Sequence, residues 1–125
     1  MKTSSAKAKG RSFQQAIRDI LTAAFNWEEG DAESRSMGSA GVDLLFSPRA
    51  RRDFPVSVEC KKTRAHPARA EVSQAKANAR SNELAIVVWA GHRQGPDKAM
   101  MICDFAEFLQ WYKGIKDELP GDIYD

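Results

Sequence analysis

The run Val56-Ser57-Val58-Glu59-Cys60-Lys61 alternates apolar and polar residues with period two. It therefore specifies a β-strand with Val56, Val58 and Cys60 on one face and Ser57, Glu59 and Lys61 on the other. Sixteen residues before Glu59, Asp43 closes a glycine-rich turn, Ser36-Met37-Gly38-Ser39-Ala40-Gly41, and Leu44-Leu45-Phe46 runs on from it as a buried strand. If those two strands pair, two carboxylates and an amine converge at one place. Gathering such groups beside a sheet core is costly unless a cation neutralises the acids. Hard divalent ions such as Mg²⁺ take oxygen ligands of this kind, and a neighbouring lysine can then orient or activate a water or stabilise charge on a phosphate. The same pattern also describes an alternating edge strand with a solvated Glu/Lys face, so spacing alone leaves both readings open.

The elements around this pair predict an α/β fold, a central mixed sheet flanked by helices. Residues 1–10 are rich in Ser, Ala and Lys and aperiodic, which reads as a flexible basic arm. Phe13, Ala16, Ile17, Ile20, Leu21 and Ala24 form the apolar stripe of a first helix, and Ser12 with Gln15 has the form of a capping box that starts it at Phe13. Gln14 then flanks the stripe while Gln15 points away from it. A polar loop or frayed first strand over 28–41 precedes a strand over 42–46, and a basic, hairpin-like connection from Pro48 to Pro55 leads to the strand over 56–62. An Ala-rich helix over 68–80 has Val72, Ala75 and Ala79 as a thin apolar stripe. Strands follow over 84–90 and 99–103. Asp104 with Glu107 caps a last helix whose buried stripe is expected to be Phe105, Phe108, Leu109 and Tyr112. One domain over 11–113 and a loose tail over 114–125 complete the division.

The pattern resembles the core of the PD-(D/E)xK nucleases, and within them the Holliday-junction-resolvase-like endonucleases, including the small ones of phages. The residues that carry the likeness are Lys9-Gly10, Arg35 through Asp43, Ser47-Pro48, and Phe54 through Lys62, with Gln74 on the following helix. The resemblance implies a restriction-endonuclease-like core and hydrolysis of DNA phosphodiester bonds by Mg²⁺, with Mn²⁺ as a substitute. Asp43 and Glu59 would be ligands, the backbone carbonyl of Cys60 a further one, and Lys61 the catalytic lysine. It further implies a serine at the scissile phosphate, Ser36 here, and a homodimer acting on branched DNA such as a four-way junction. One departure stands out. Four residues after Gly10 the family often carries an acid on the first helix; this chain has Gln14, which adds no charge to an ion. Glu28, Glu29, Asp31 and Glu33 lie downstream as substitutes or simply as an exposed acidic loop. The departure also suits a nuclease fold that binds nucleic acid without cutting it, and a flap-, fork- or nick-directed nuclease is a further alternative.

Charge is distributed unevenly. Residues 47–80 carry nine basic and three acidic residues, a net +6, although the chain as a whole is only +2. A polyanion at that face is the physical reading. Arg35, Arg49, Arg51, Arg52, Lys62, Arg64, Arg69, Lys76 and Arg80 are the candidate DNA contacts, with Gln74 added by resemblance alone. The chain contains no apolar run long enough to span a bilayer, and Cys60 and Cys103 read as small core residues of a reducing cytoplasm; for a phage protein that would be the host's. No membrane partner is expected.

Overall fold

The computed structural model describes residues 4–35 and 41–118. Its first element, α1, spans Ser4–Phe25, so the helix begins within the stretch expected as a flexible arm and runs through Ser12 and Gln15 without a break. The capping-box assignment at Ser12 is thereby corrected: both residues are exposed within the helix. Ser, Ala and Lys tolerate helix well enough that the apolar stripe downstream carries the helix back to Ser4. Of the expected stripe, Phe13 and Ile17 are buried and Ala16 and Leu21 half-buried, whereas Ile20 is 47% exposed and Ala24 is exposed, so the apolar face is narrower than the spacing suggested. The helix ends on Asn26, which takes φ 55°. The N–H of Trp27 bonds the carbonyl of Thr22 and that of Asn26 bonds Ala23, the hydrogen-bond pattern of a left-handed helix end.

β1 (Ala32–Ser34) pairs antiparallel with β2 (Leu44–Phe46), Ser34 opposite Leu44. Between β2 and the next strand lies α2 (Pro48–Asp53), a short helix where the sequence suggested a hairpin-like connection. Its cause is local: the Ser47 hydroxyl accepts from the N–H of Ala50 and Pro48 supplies the first turn. Phe25, Trp27, Phe46 and Phe54 pack ring against ring beside it, and Trp27 Nε1 donates to Asp53 at 2.9 Å.

The second sheet has the order β3-β4-β5. β3 (Val56–Lys62) runs parallel to β4 (Leu84–Ala90), with Glu59 beside Val87 and Lys61 beside Trp89; β5 (Met100–Ile102) is antiparallel to β4. The crossover between these parallel neighbours is carried by α3 (Arg69–Asn78). The architecture is α/β, a mixed three-stranded sheet and a two-stranded sheet flanked by helices. The period-two pattern of β3 sorts its faces as predicted. Val56 and Val58 join the α1 side with Phe13, Ile17, Leu44 and Ile86. The other face belongs to α3, where Val72 and Ala75 cover Ala85, Val87 and Trp89.

α4 (Phe105–Glu118) follows β5, with the Asp104 carboxylate accepting from the N–H of Glu107. Its buried stripe matches the expected one only at Phe108. Phe108 and Trp111 are the residues packed against the core, whereas Phe105 is 74% exposed, Leu109 43% and Tyr112 44%. Trp111 fixes the rotation, its Nε1 donating to the Pro55 carbonyl at 2.9 Å. Among the described residues no helix is long and apolar enough to cross a membrane.

The helix start is testable. Ser12→Ala should change unfolding free energy by no more than about 0.5 kcal/mol, since alanine is the better helix former at an interior position. Urea denaturation showing a loss of about 1 kcal/mol, the usual cost of deleting an N-cap, would contradict it.

Candidate active site

Asp43 lies where the two sheets meet. Its N–H donates to the carbonyl of Val58 on β3 at 3.1 Å, and its own carbonyl accepts from the N–H of Arg35 at 2.8 Å, prolonging the β1–β2 ladder by one step. Its Oδ2 accepts from the N–H of Cys60 at 2.7 Å. The side chain is therefore held against the edge of β3 and cannot swing into solvent. The approach to Asp43 depends on Gly41, whose φ is +98°, a left-handed value that favours glycine. A Cβ there would also stand 3.3 Å from the Arg35 guanidinium. That guanidinium donates through Nε to the carbonyl of Val42 at 2.7 Å, so Arg35 shapes the turn from within.

Gln14 is buried beneath this turn, 3% exposed. Its Nε2 donates to the carbonyl of Asp43 at 2.6 Å and to that of Arg35 at 3.3 Å. Gln14 is thus turned toward the backbone of Asp43, while Gln15 is exposed on the other side of the helix. The amide nitrogen acts on the backbone of Asp43, a role no carboxylate could fill, because both partners are acceptors.

Glu59 and Lys61 share the α3 face of β3, as the alternation requires. Glu59 sits beside fully buried Val87, and Asn78 from the last turn of α3 donates Nδ2 to its Oε1 at 3.1 Å. Burial, followed by the negative charge of Asp43, pushes the Glu59 carboxyl up to about 7, against the opposing pull of the Asn78 hydrogen bond and the Lys61 charge. Between an ordinary 4.5 and about 7 the folded protein keeps a proton that the unfolded chain has released. In metal-free solution this group therefore makes stability fall as pH rises through that window. Asp43, Glu59 and Lys61 are thus close enough for their charges to act on one another, as the sequence suggested.

Cys60 contributes its backbone. In an extended strand the N–H and C=O of one residue point to the same side. The Cys60 N–H faces Asp43, so its carbonyl also faces that edge, away from the ladder with β4. The thiol is pushed far above its ordinary range, first by burial and then by the charges of Asp43 and Glu59, and stays protonated. Two carboxylates and a free strand-edge carbonyl are hard oxygen donors, and the proton held on Glu59 marks the electrostatic cost that a divalent cation would relieve. The donor set fits Mg²⁺ or Mn²⁺. Among the described residues no third acid, histidine or cysteine joins it. The downstream acids are engaged elsewhere or exposed: Asp31 accepts from the Ser47 hydroxyl at 2.6 Å and from the Glu28 N–H at 2.8 Å. Ser36 lies outside the described residues.

The candidate DNA contacts divide into two groups. Arg51 donates to Glu83 at 2.7 Å, Arg49 stands 3.7 Å from Asp31, Arg69 lies 3.3 Å from Asp104, and Lys76 reaches both Asp104 and Glu107. Lys62 lies on the α1 side, its Nζ donating to the carbonyls of Gly91 and Gln94 and standing 5.8 Å from the Phe13 ring centroid. These cations have protein partners, those at the surface held only by weak pairs. Arg52 and Arg64 are exposed and make no ion pair among the described residues, nor does Arg80. Gln74 is exposed one helical turn before Asn78. Two residues missed in the sequence are Asn78 and Trp89. Trp89 fixes the chain beyond β3 by donating to Thr63 and packing at a tilt against His66, with ring centroids 4.1 Å apart. Asn78, three residues beyond Ala75, borders the apolar stripe, a signal that was present.

Comparison with known proteins is negative throughout: no family model, no curated protein and no solved structure matches the chain.

The role of Gln14 is tested by the substitution that restores the acid. Gln14→Glu should cost about 3 kcal/mol or more, because a buried carboxylate would meet two carbonyl oxygens. Thermal and urea unfolding measure it. A variant of wild-type stability with tighter Mg²⁺ binding would show that this position is a ligand position after all.

Proposed function

We propose that the chain is a divalent-metal-dependent endonuclease with a PD-(D/E)xK, restriction-endonuclease-like core, hydrolysing phosphodiester bonds of DNA. The observation that carries the reading is the meeting of Asp43, from the turn before β2, with Glu59 on β3, and Lys61 two residues along on the Glu59 face. The resemblance and the donor chemistry support it jointly. Asp43, Glu59 and the Cys60 carbonyl would hold Mg²⁺ or Mn²⁺, which when bound would supply positive charge opposite the reacting phosphate. The remaining chemistry belongs to the chain. Lys61 orients the attacking water and offsets charge developing on the phosphate. Asn78 keeps the Glu59 carboxylate turned toward Asp43. Gln14 and Arg35 hold the turn rigid, so the two acids need not be ordered when substrate arrives. Arg52, Arg64 and Arg80, which make no ion pair among the described residues, are available to phosphates. Recognition through phosphates and shape gives affinity without sequence preference, which suits branched DNA such as a four-way junction. A homodimer would bring two such sites to two strands of a junction.

The second reading, a nucleic-acid-binding module of the same fold that does not cut, is favoured by one observation. The family's first-helix acid is Gln14, and its amide is engaged with backbone carbonyls.

The deciding experiment is a cleavage assay on junction, flap, duplex and single-stranded DNA with Mg²⁺ or EDTA. Cleavage should require the metal. Asp43→Asn, Glu59→Gln and Lys61→Ala should each lower its rate by about 100-fold or more while Lys61→Ala still binds DNA. Cleavage that persists in EDTA, or at full rate in Lys61→Ala, contradicts the nuclease reading. Metal-independent binding with no cutting selects the second.

A further inference from the structure

A cavity of about 560 Å³ lies on the α1 side of β3. It opens where the parallel strands end: Lys62 is the last residue of β3, and His92 follows the end of β4 by two residues. In open α/β sheets the crevice outside the carboxyl ends of the strands is where ligands are received. The cavity borders the acids. On β3, Lys61 faces α3 and Lys62 faces the cavity. On α1, Phe13 lines the cavity and the next residue, Gln14, holds the backbone of Asp43.

The chemistry of the cavity is divided. Lys9, Lys62 and the imidazole of His92 line it, and among the described residues no acid does. Lys62 directs two of its three donors at the carbonyls of Gly91 and Gln94. Both partners are neutral, so its charge is uncancelled and one N–H remains for a ligand. Lys9 is exposed and makes no ion pair among the described residues. Asp97, the acid of the same loop as His92, is turned back onto Gly95, where an added Cβ would stand 2.7 Å from its Oδ1. α1 gives a second sign. It has no acid in its first turn and carries Lys7, Lys9 and Arg11 between Ser4 and Arg11, a charge order that opposes its own dipole and that a bound anion offsets. The remaining wall is apolar, formed by Ala8, Phe13 and Pro96, with Ser12 beside it.

We infer that this cavity binds a nucleoside phosphate. Lys9, Lys62 and His92 take the phosphate, the base lies against Ala8, Phe13 and Pro96, and the Ser12 hydroxyl serves the sugar or the base edge. Inorganic phosphate would leave the apolar wall bare, and a sugar phosphate would set hydroxyls against it at a cost. A base has an apolar face and a polar edge, and the volume suits a small organic ligand. The choice of a nucleotide among flat phosphorylated molecules rests on the nuclease reading; the cavity and its charge do not. Two sources share this chemistry: a free nucleotide, and the unpaired 5′-terminal nucleotide of a strand that passes from the acids around the end of β3.

The test is an amide NMR titration of the full chain in EDTA. The probes are deoxyadenosine 5′-monophosphate, deoxyadenosine, inorganic phosphate, and a trinucleotide with and without a 5′-phosphate. The monophosphate should saturate with a Kd of about 1 mM or lower and shift the amides of Ser12, Lys62 and His92, with deoxyadenosine and phosphate at least about tenfold weaker. Lys9→Glu combined with His92→Glu should weaken it at least about tenfold, as should Ala8→Leu, which fills the cavity; Lys113→Glu on α4 should not change it. Circular dichroism confirms that each variant folds. A 5′-phosphorylated trinucleotide that binds more tightly than the monophosphate and than its unphosphorylated form assigns the site to a strand end, and one no tighter than the monophosphate assigns it to a free nucleotide. A monophosphate that binds no better than inorganic phosphate, or equally well to the paired variant and Ala8→Leu, overturns the inference. Binding without any DNA cleavage in Mg²⁺ overturns the nuclease reading and leaves this site standing, and cleavage without binding does the reverse.

Discussion

The hydrogen bonds of Asp43 join what would otherwise be two separate sheets. Its N–H enters the β3 edge at Val58, its carboxylate caps the next free N–H at Cys60, and its carbonyl is held by Arg35 and by Gln14 from α1. One residue thereby fixes the position of β2 against β3 and of both against the first helix. The same bonds aim its carboxylate at Glu59. Structural linkage and candidate chemistry reside in the same atoms, so the site cannot loosen without the two sheets separating.

That arrangement is held at a cost. Glu59 is half-buried beside Val87 with a second carboxylate nearby, and its proton affinity rises accordingly. A sequence selected only for stability would place an apolar or amide side chain there, since unrelieved like charges at a sheet edge contribute nothing to folding. Strongly perturbed carboxylates beside a lysine are characteristic of places where a protein binds ions or does chemistry. Neutral amides support both acids, Asn78 on the Glu59 side chain and Gln14 on the Asp43 backbone. They orient the carboxylates without adding further charge.

Much of this was legible in the sequence because strand periodicity is a strong local signal. The faces of β3, the strand over 84–90 and the stripe of α1 follow from alternation or helical spacing, and Asp43, Glu59 and Lys61 follow from the faces. The failures have physical causes too. Ser12-x-x-Gln15 has the form of a cap, but helix propensity upstream was sufficient to make it interior. Ser47-Pro48 was a helix start passed over because the segment it opens is only six residues long. α4 was assigned the wrong buried face because both of its stripes are apolar, and only the tertiary bond from Trp111 to Pro55 chooses between them. The hydrogen bonds of Gln14 and Asn78 span 29 and 19 residues of chain, and no local pattern encodes a pairing at that distance. The basic segment looked like a uniform phosphate-facing surface; tertiary ion pairs to Glu83, Asp104 and Glu107 divide it.

The claim on which the site depends is that Asp43 and Glu59 share one charged space. Carboxyl carbon NMR of Glu59 across a pH series, without metal and then with Mg²⁺, measures it directly. The account predicts a metal-free midpoint near 7. That midpoint should fall in Asp43→Asn yet stay above the ordinary 4.5, because burial remains the larger cause, and Mg²⁺ should move it down in the wild type. A wild-type midpoint near 4.5, or one that neither Asp43→Asn nor Mg²⁺ displaces, would contradict it.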